Sequence, residues 1–191
     1  ANTLLADHLC SPALFLAEQI ETGEITLCDK KTGCALPSLL AAAWPEYRSP
    51  VLVVTTDYPD ERILGNLRNN VSKNRCNFNQ RCHVQYIGYE WGEDTEPLLS
   101  IWVANLSSSG YDVVILSDLL HFDSSDAVPV TAITSLLAKS ANARVHVAAG
   151  KYIAPSVCDN FLILVSEMEL TGWSVRRPQM TRTCTLSRKV L

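Results

Sequence analysis

Two apolar runs constrain the fold of this chain more than any other feature of its sequence. Residues 51–54 read Val-Leu-Val-Val and residues 113–116 read Val-Val-Ile-Leu. Short runs rich in β-branched residues are typical of strands that are buried on both faces of a parallel sheet. A parallel sheet needs helices on its faces to connect its strands, so the two runs predict an α/β protein.

Helical and extended patterns alternate along most of the remaining chain. Extended patterns predict strands over residues 24–29, 51–57, 83–89, 112–118 and 144–149. Apolar residues at helical spacing predict helices over residues 13–20, 37–44, 61–74, 97–106, 127–140 and 155–171. This alternation predicts a doubly wound, mostly parallel sheet.

The C-terminal end departs from the alternation. After Gly172 only residues 173–175 have strand character, and residues 176–191 have no apolar periodicity. We therefore predict one domain over residues 1–175, a basic, mobile tail over residues 176–191, and a sheet that is incomplete at its C-terminal end. The fifth predicted strand would then expose unpaired N–H and C=O groups, which favours self-association through the sheet edge.

Composition and charge exclude several classes of partner. Hydrophobic residues make up 47% of the 191 residues and charged residues 19%, which is typical of a folded globular protein. The 16 basic and 20 acidic residues give a net charge of −4, which argues against nucleic-acid binding. Since no apolar run is long enough to span a membrane, we predict a soluble, cytoplasmic protein without a membrane partner.

The cysteines favour free thiols over disulfides or a metal site. The chain has 7 cysteines, an odd number, and no two of them form a C-x-x-C pair. Cys76, Cys82 and His83 are close in sequence, but their spacing matches no zinc site. We therefore predict reduced cysteines in a reducing compartment and no metal.

Three aspartates follow predicted strands, at the edge where a doubly wound sheet binds its ligands. They are Asp29, Asp57 and Asp118. Asp57 suits hydrogen bonding to the hydroxyls of a ribose, a role that is also open to Asp29, and the alternative role for all three is to cap the helix that follows. The turn after the first strand has a single glycine, Gly33, where a dinucleotide-binding turn has three. The turn therefore disfavours NAD and is compatible with a nucleoside that has no pyrophosphate.

Five segments of the chain carry a resemblance to a known family. They read LPSLLAAAWPEY, VVTTDYPDERILGNLRNNV, GYEWGEDTEPLL, YDVVILSDLLHFDSS and VHVAAGKYIAPSVCDNFL. In this order and spacing they resemble the motifs of family-16 S-adenosylmethionine-dependent methyltransferases. The most similar group is that of the fungal nicotinamide N-methyltransferase-like and protein-lysine N-methyltransferases. The resemblance extends from about His8 to Trp173.

The resemblance implies a seven-stranded, Rossmann-like class I methyltransferase fold that binds S-adenosylmethionine across the ends of the first, second and fourth predicted strands. Asp57 would bind the ribose, Trp91 would lie beside the adenine, and Ser117 with Asp118 would line the methionine end. Trp91 could equally be a core aromatic residue. The complete set of implied cofactor-binding residues is Asp29, Lys31, Gly33, Asp57, Trp91 and Ser117.

The implied activity is methyl transfer to nitrogen. The acceptor would be a protein lysine, an N-terminal amine or a small nitrogen heterocycle. Asp118 and His121 are the implied catalytic residues, which would orient or deprotonate the incoming amine. His121 occupies the last position of the family's Asp-x-x-Tyr-like motif, and its alternative role is that of a partly buried polar residue on a loop.

Two departures from the family pattern support a second function. Where relatives have Glu-Leu-Gly-x-Gly, this chain has Asp-Lys-Lys-Thr-Gly, so that Lys31 replaces a glycine. Cys10 stands where relatives carry a tryptophan. Both changes, together with the short, polar C-terminal tail, favour the alternative of a noncatalytic, methyltransferase-like interaction module that has lost cofactor binding.

Overall fold

The computed structural model describes residues 10–27, 35–101, 110–120, 127–168, 170–175 and 180–189. The described helices are α1 (Ser11–Glu21), α2 (Ala35–Ala43), α3 (Glu61–Asn74), α4 (Glu96–Leu99), α5 (Ala127–Leu136) and α6 (Pro155–Glu167). The described strands are β1 (Val51–Asp57), β2 (Cys82–Gly88), β3 (Val113–Ser117), β4 (Arg144–Gly150), β5 (Leu170–Val175) and β6 (Met180–Arg188).

The strands form two groups within the described residues. β1 pairs in parallel with β2, from Val51 opposite Cys82 to Asp57 opposite Gly88. The second group has the order β3-β4-β6-β5, in which β3 and β4 are parallel while β6 is antiparallel to both β4 and β5. Helix α3 connects the first parallel pair and α5 connects the second. The predicted doubly wound, mostly parallel α/β fold is confirmed.

Strands β1 and β3 are buried on both faces, as their apolar sequences predict. A first apolar cluster contains one set of their side chains together with residues of α5 and α6: Leu52, Val54, Val114, Leu116, Ile133 and Phe161. A second cluster contains the alternate side chains together with residues of α1 and α2: Val51, Val53, Val113, Ile115, Leu16 and Ala41. The alternation along each strand thus places helices on both faces of the sheet.

The described part of the first predicted strand is not a strand. Residues 24–27 belong to no strand, and the N–H of Ile25 donates instead to the Gln19 carbonyl oxygen at 2.9 Å. Ile25 and Leu27 are nonetheless buried in the second cluster with residues of both β1 and β3. The described residues therefore contain six strands where seven were expected, and the remainder of this predicted strand, residues 28 and 29, lies outside the described residues.

Helix α3 shows how local sequence sets an element's bounds. Asp60 is its N-cap, and one carboxylate oxygen accepts hydrogen bonds from the N–H groups of Arg62 and Ile63 at 3.0 and 3.2 Å. Ile63 and Leu67 lie on its buried side. The predicted bounds of this helix are confirmed, whereas the helix predicted over residues 155–171 ends at Glu167 because β5 begins at Leu170.

The sheet is complete at its C-terminal end, contrary to the sequence prediction. β6 lies between β4 and β5 and pairs with both of them. The predicted incomplete sheet is wrong, and residues 180–188 belong to the domain instead of to a separate tail. Because β6 covers the edge of β4, the predicted basis for self-association is also absent.

Charged side chains of β6 form an ion pair with α6 and hydrogen bonds with the end of α5. Arg182 forms a 2.7 Å ion pair with Asp159 of α6. The Arg188 guanidinium donates hydrogen bonds to the carbonyl oxygens of Thr134 and Leu137, at the C-terminal end of α5, at 2.8 and 2.9 Å. A cation at this end of a helix also interacts favourably with the helix dipole. Of the positive charges that suggested a solvated tail, Arg182 and Arg188 therefore have partners in the fold.

Three further properties of the described residues bear on the expected class of protein. None of the described helices is long and apolar enough to cross a membrane. The described cysteines form no disulfide. No three His, Cys, Asp or Glu residues in the described part of the chain are grouped so that they could hold a metal ion. The cytoplasmic location stays a prediction.

The role of β6 predicts a large loss of stability when its buried side chain is truncated. Leu186 is completely buried in the first cluster. We expect Leu186→Ala to lower the free energy of unfolding by about 2 to 5 kcal/mol, measured by urea denaturation. The matched control is Ile163→Ala on α6, where the side chain is 57% exposed and the loss should stay below about 1 kcal/mol. Equal losses in the two variants would contradict the placement of β6 in the core.

Candidate functional site at the carboxyl ends of the parallel strands

Asp57 lies at the end of β1 with a partly desolvated carboxylate. One of its oxygens accepts a hydrogen bond from the Tyr58 N–H at 2.8 Å. Loss of water around the half-buried side chain raises the pKa of Asp57, and the Tyr58 N–H partly opposes this shift. Helix α3 takes its cap from Asp60, so the alternative role of Asp57 as a helix cap is wrong. Asp57 thus places a carboxylate at the sheet edge without a capping function.

Trp91 lies on a turn that follows β2. Its ring contacts the Tyr89 ring edge to face, with ring centroids 5.6 Å apart and an interplanar angle of 75°. Tyr89 connects this turn to β1, because its N–H donates to the Asp57 carbonyl oxygen at 2.9 Å. Trp91 packs against the first cluster and stays partly exposed.

Gly92 brings this turn close to the helix that follows β3. Its backbone has φ +104°, a conformation that favours glycine. A Cβ atom at this position would lie 2.8 Å from Val128 Cγ1 on α5. The close approach brings the turn after β2 against the element that leads away from β3, and thereby joins the two halves of the candidate site.

Ser117 ends β3 next to the beginning of α1. Its Oγ lies 3.8 Å from the Sγ of Cys10, within the range of a weak hydrogen bond that involves sulfur. Cys10 immediately precedes α1, and its side chain does not cap that helix. The structure therefore places the residue that departs from the family pattern in contact with a predicted cofactor-binding residue.

Asp118 follows β3 in an unusual backbone conformation. Its φ is +58°, in the left-handed region that non-glycine residues rarely adopt. The Asp118 N–H donates to the Ala148 carbonyl oxygen at 2.8 Å, and Asp118 Oδ1 accepts the Gly150 N–H at 2.9 Å. Both bonds connect the turn after β3 to the end of β4.

Half of the predicted site residues can be compared with the structure. Asp57, Trp91, Ser117 and Asp118 lie at or just beyond the ends of β1, β2 and β3. The other predicted residues, Asp29, Lys31, Gly33 and His121, lie outside the described residues.

Sequence reasoning missed the contacts made by Gly150 and Cys10. The signal for Gly150 was its position at the end of an apolar strand run, Val145 to Gly150, next to the predicted ligand-binding edge. No sequence signal predicted the contact between Cys10 and Ser117, because 107 positions separate the two residues.

A cavity of about 370 Å³ lies elsewhere in the fold. Its walls include Gln19 of α1, Arg144 and His146 of β4, and Thr185 of β6. Arg144 begins β4, so the cavity is near the amino end of that strand, away from Gly150. None of the described candidate residues lines it, and we therefore assign it no part in the candidate site.

Comparison with known proteins identifies relatives for part of the chain. The chain is 28% identical over 127 residues to the protein N-terminal and lysine N-methyltransferase efm7 of Emericella nidulans, covering 63% of this chain and 48% of that protein. It is 29% identical over 125 residues to the protein of the same name in Schizosaccharomyces pombe, covering 63% and 46%. The chain thus spans about half the length of these relatives. No protein-family model matches it.

Solved structures identify the fold. A methyltransferase from Pyrococcus furiosus superimposes with a TM-score of 0.61 and 12% sequence identity, covering 92% of this chain and 83% of that one. At such low sequence identity, the superposition supports a shared fold and no shared function. Together with the strand order and connections described above, it establishes that the chain has the Rossmann-like fold of class I methyltransferases.

The raised pKa of Asp57 predicts how replacing this residue with asparagine changes the stability of the protein at different pH values. In the folded protein, the carboxyl holds its proton to higher pH than in the unfolded chain, so its contribution to stability falls as pH rises above 3.8. Asn at this position accepts the same hydrogen bond without ionising. We therefore expect the free energy of unfolding of Asp57→Asn, relative to the native protein, to increase between pH 3.5 and pH 7. Urea denaturation at several pH values measures this, and a difference that is constant or decreases with pH would contradict it.

Proposed function

We propose that this chain is the methyltransferase domain of an S-adenosylmethionine-dependent enzyme that methylates a protein amine, either a lysine side chain or an N-terminus. The observation that carries the proposal is the match to proteins named N-terminal and lysine N-methyltransferases. The class I methyltransferase fold and the polar residues at its ligand-binding edge support it.

The groups at the sheet edge fit the nucleoside part of the cofactor. Among hydrogen bonds from described residues, Asp57 accepts one, at Oδ1, which leaves acceptor capacity for the two ribose hydroxyls. Its partial burial makes such bonds more favourable, because they replace the water that the carboxylate has lost. Trp91 would offer its partly exposed indole to the adenine, and Tyr89, which contacts the Trp91 ring, is hydrogen-bonded to the Asp57 carbonyl oxygen.

The remaining roles rest on the family resemblance. Ser117 at the end of β3 would line the methionine part of the cofactor. Asp29, Lys31 and Gly33 would lie on the turn that approaches the cofactor backbone. These four assignments, and that of His121 beside the acceptor amine, are extensions of the family resemblance.

Methyl transfer from S-adenosylmethionine to an amine requires little acid–base catalysis by the protein. When bound, S-adenosylmethionine supplies a methyl group that is already activated by the positive charge on its sulfur. The protein has to hold a neutral amine in line with that methyl group and exclude water, so that catalysis is mostly positioning. His121 would orient the amine or accept its proton.

The printed names of the relatives favour a protein acceptor over a small heterocycle. The noncatalytic alternative depends on whether the chain binds the cofactor at all. Cys10 still contacts Ser117 where relatives carry a tryptophan, so the replacement has not separated α1 from the end of β3. This contact favours a retained site.

Asp57 provides the sharpest test of cofactor binding. We expect calorimetry to detect binding of S-adenosylhomocysteine, and Asp57→Ala to weaken it at least about tenfold, because hydrogen bonds to a charged group contribute about 1.5 to 3 kcal/mol. The control is Asp60→Asn, which removes the same charge three positions away but keeps the cap of α3. Its affinity should stay within about twofold of the native value.

The outcomes separate the two proposed functions. Equal affinity of native protein and Asp57→Ala would remove Asp57 from the site. No binding by the native chain at millimolar ligand would favour the noncatalytic module. If binding is found, labelled S-adenosylmethionine with lysine peptides, with free or acetylated N-termini, distinguishes the acceptor amine. Labelling of nicotinamide but of no peptide would contradict a protein acceptor.

A further inference from the structure

The geometry assigns Asp118 a positioning role: its carboxylate holds the turn after β3 against Gly150 at the end of β4, and it does not act as the base of the reaction. This inference rests on the proposed methyltransferase function, because the position that is held is that of the methyl-transfer site. It differs from the family resemblance, which implies that Asp118 orients or deprotonates the acceptor amine. The contacts of Asp118 decide between the two roles.

The backbone at Asp118 is the first of these contacts. Asp118 is the only non-glycine residue with positive φ in the described part of the chain. Aspartate and asparagine tolerate this conformation better than other residues with a side chain, because their short polar groups form hydrogen bonds locally. Alanine has no such compensation. The sequence therefore has a residue that suits the turn for reasons independent of proton transfer.

The side chain provides the second contact. Ser117 is the last β3 residue that pairs with β4, opposite Ala148. Beyond this pair, the Gly150 N–H donates to Asp118 Oδ1 at 2.9 Å. The carboxylate therefore continues the connection between the two strands where backbone pairing has ended. This bond gives the Asp118 carboxylate a role in holding the turn that requires no proton transfer.

Because Gly150 has no side chain, it leaves room for the Asp118 carboxylate. A Cβ atom at position 150 would lie 2.8 Å from Asp118 Oδ1, closer than real Cβ atoms approach an oxygen. Gly150 is buried, and its φ does not lie in the left-handed region, so the requirement here is for space and not for backbone freedom. Asp118 and Gly150 thus form one clamp, which we call the Asp118–Gly150 clamp.

The clamp fixes the direction of the chain at the candidate site. Immediately before it lies Ser117, with its hydroxyl near Cys10. Immediately after it, Leu119 packs against the first cluster and Leu120 is buried within it. A turn held on both sides in this way keeps Ser117 oriented for the ligand. Release of the clamp should therefore weaken cofactor binding without removing any group that touches the acceptor.

Three substitutions of Asp118 separate positioning from proton transfer. Asn keeps both the backbone preference and the Oδ1 acceptor, Gly keeps only the backbone freedom, and Ala keeps neither. We expect the affinity for S-adenosylhomocysteine to be within about threefold of native for Asp118→Asn, intermediate for Asp118→Gly, and at least about tenfold weaker for Asp118→Ala. A catalytic base would give the opposite pattern: Asp118→Asn would lose about a hundredfold or more in kcat at unchanged affinity.

Gly150 tests the same clamp from its other side. Gly150→Ala should weaken binding at least about tenfold, because the new methyl group displaces the carboxylate. The control is Gly65→Ala on α3, where a Cβ atom would meet nothing within 4 Å and binding should change by less than about twofold. Combining Asp118→Gly with Gly150→Ala removes the clash, so the double variant should bind better than the product of the two single effects predicts. Multiplicative effects would overturn the clamp.

A direct measurement keeps this inference separate from the proposed function. In the native protein, the hydrogen bond to Asp118 should protect the Gly150 amide from hydrogen exchange, and Asp118→Ala should remove that protection whereas Asp118→Asn should retain it. If the native chain binds no S-adenosylhomocysteine, the proposed function fails, and the exchange rate of the Gly150 amide still tests the clamp. A Gly150 amide that exchanges equally fast in the native protein and in Asp118→Ala would overturn the inference, even in a protein that binds the cofactor.

Discussion

The burial of β1 and β3 on both faces is the constraint on which the rest of this structure depends. Each strand contributes alternate side chains to two apolar clusters, one with α5 and α6 and one with α1 and α2. Burying this surface is the main favourable contribution to folding, and it leaves little room for polar side chains along the strands. Polar groups therefore collect where the strands end. The ligand-binding edge is in this sense a consequence of how the core is built.

The residues at that edge are held by contacts that are weak or costly by themselves. Asp57 is a carboxylate that has lost water without gaining a cationic partner among the described residues, and Asp118 adopts a backbone conformation that non-glycine residues rarely tolerate. Both arrangements persist because neighbouring elements hold them, through the Tyr58 N–H in one case and Gly150 in the other. Conformations that lower stability in this way are more frequent at functional sites, where a particular geometry is needed. Such a site requires a defined direction for each turn, and the proposed clamp between β3 and β4 would set one of them.

Local patterns predicted the parts of the fold that local physics determines. The bounds of α3 follow from an N-cap and an apolar stripe, and β1 and β3 follow from their apolar runs. β6 escaped prediction because, of its side chains whose burial is described, only Cys184 and Leu186 are buried among alternating threonines, and because the partners of Arg188 lie about 50 positions away at the C-terminal end of α5. The same limit applies to the site. Asp57 and Asp118 could be placed at strand ends from the sequence, whereas the bond from Gly150 and the contact of Cys10 with Ser117 exist only in the folded chain.

The central claim is that the carboxyl ends of the parallel strands bind the methyl donor. Hydrogen–deuterium exchange of the native chain, with and without saturating S-adenosylhomocysteine, tests it most directly because it maps binding along the whole backbone. The account predicts slower exchange at residues 57–60, 89–92 and 117–120, and unchanged exchange at residues 142–147 and 183–185, which line the cavity near His146. Protection confined to the residues around that cavity, with none at the three strand ends, would contradict it.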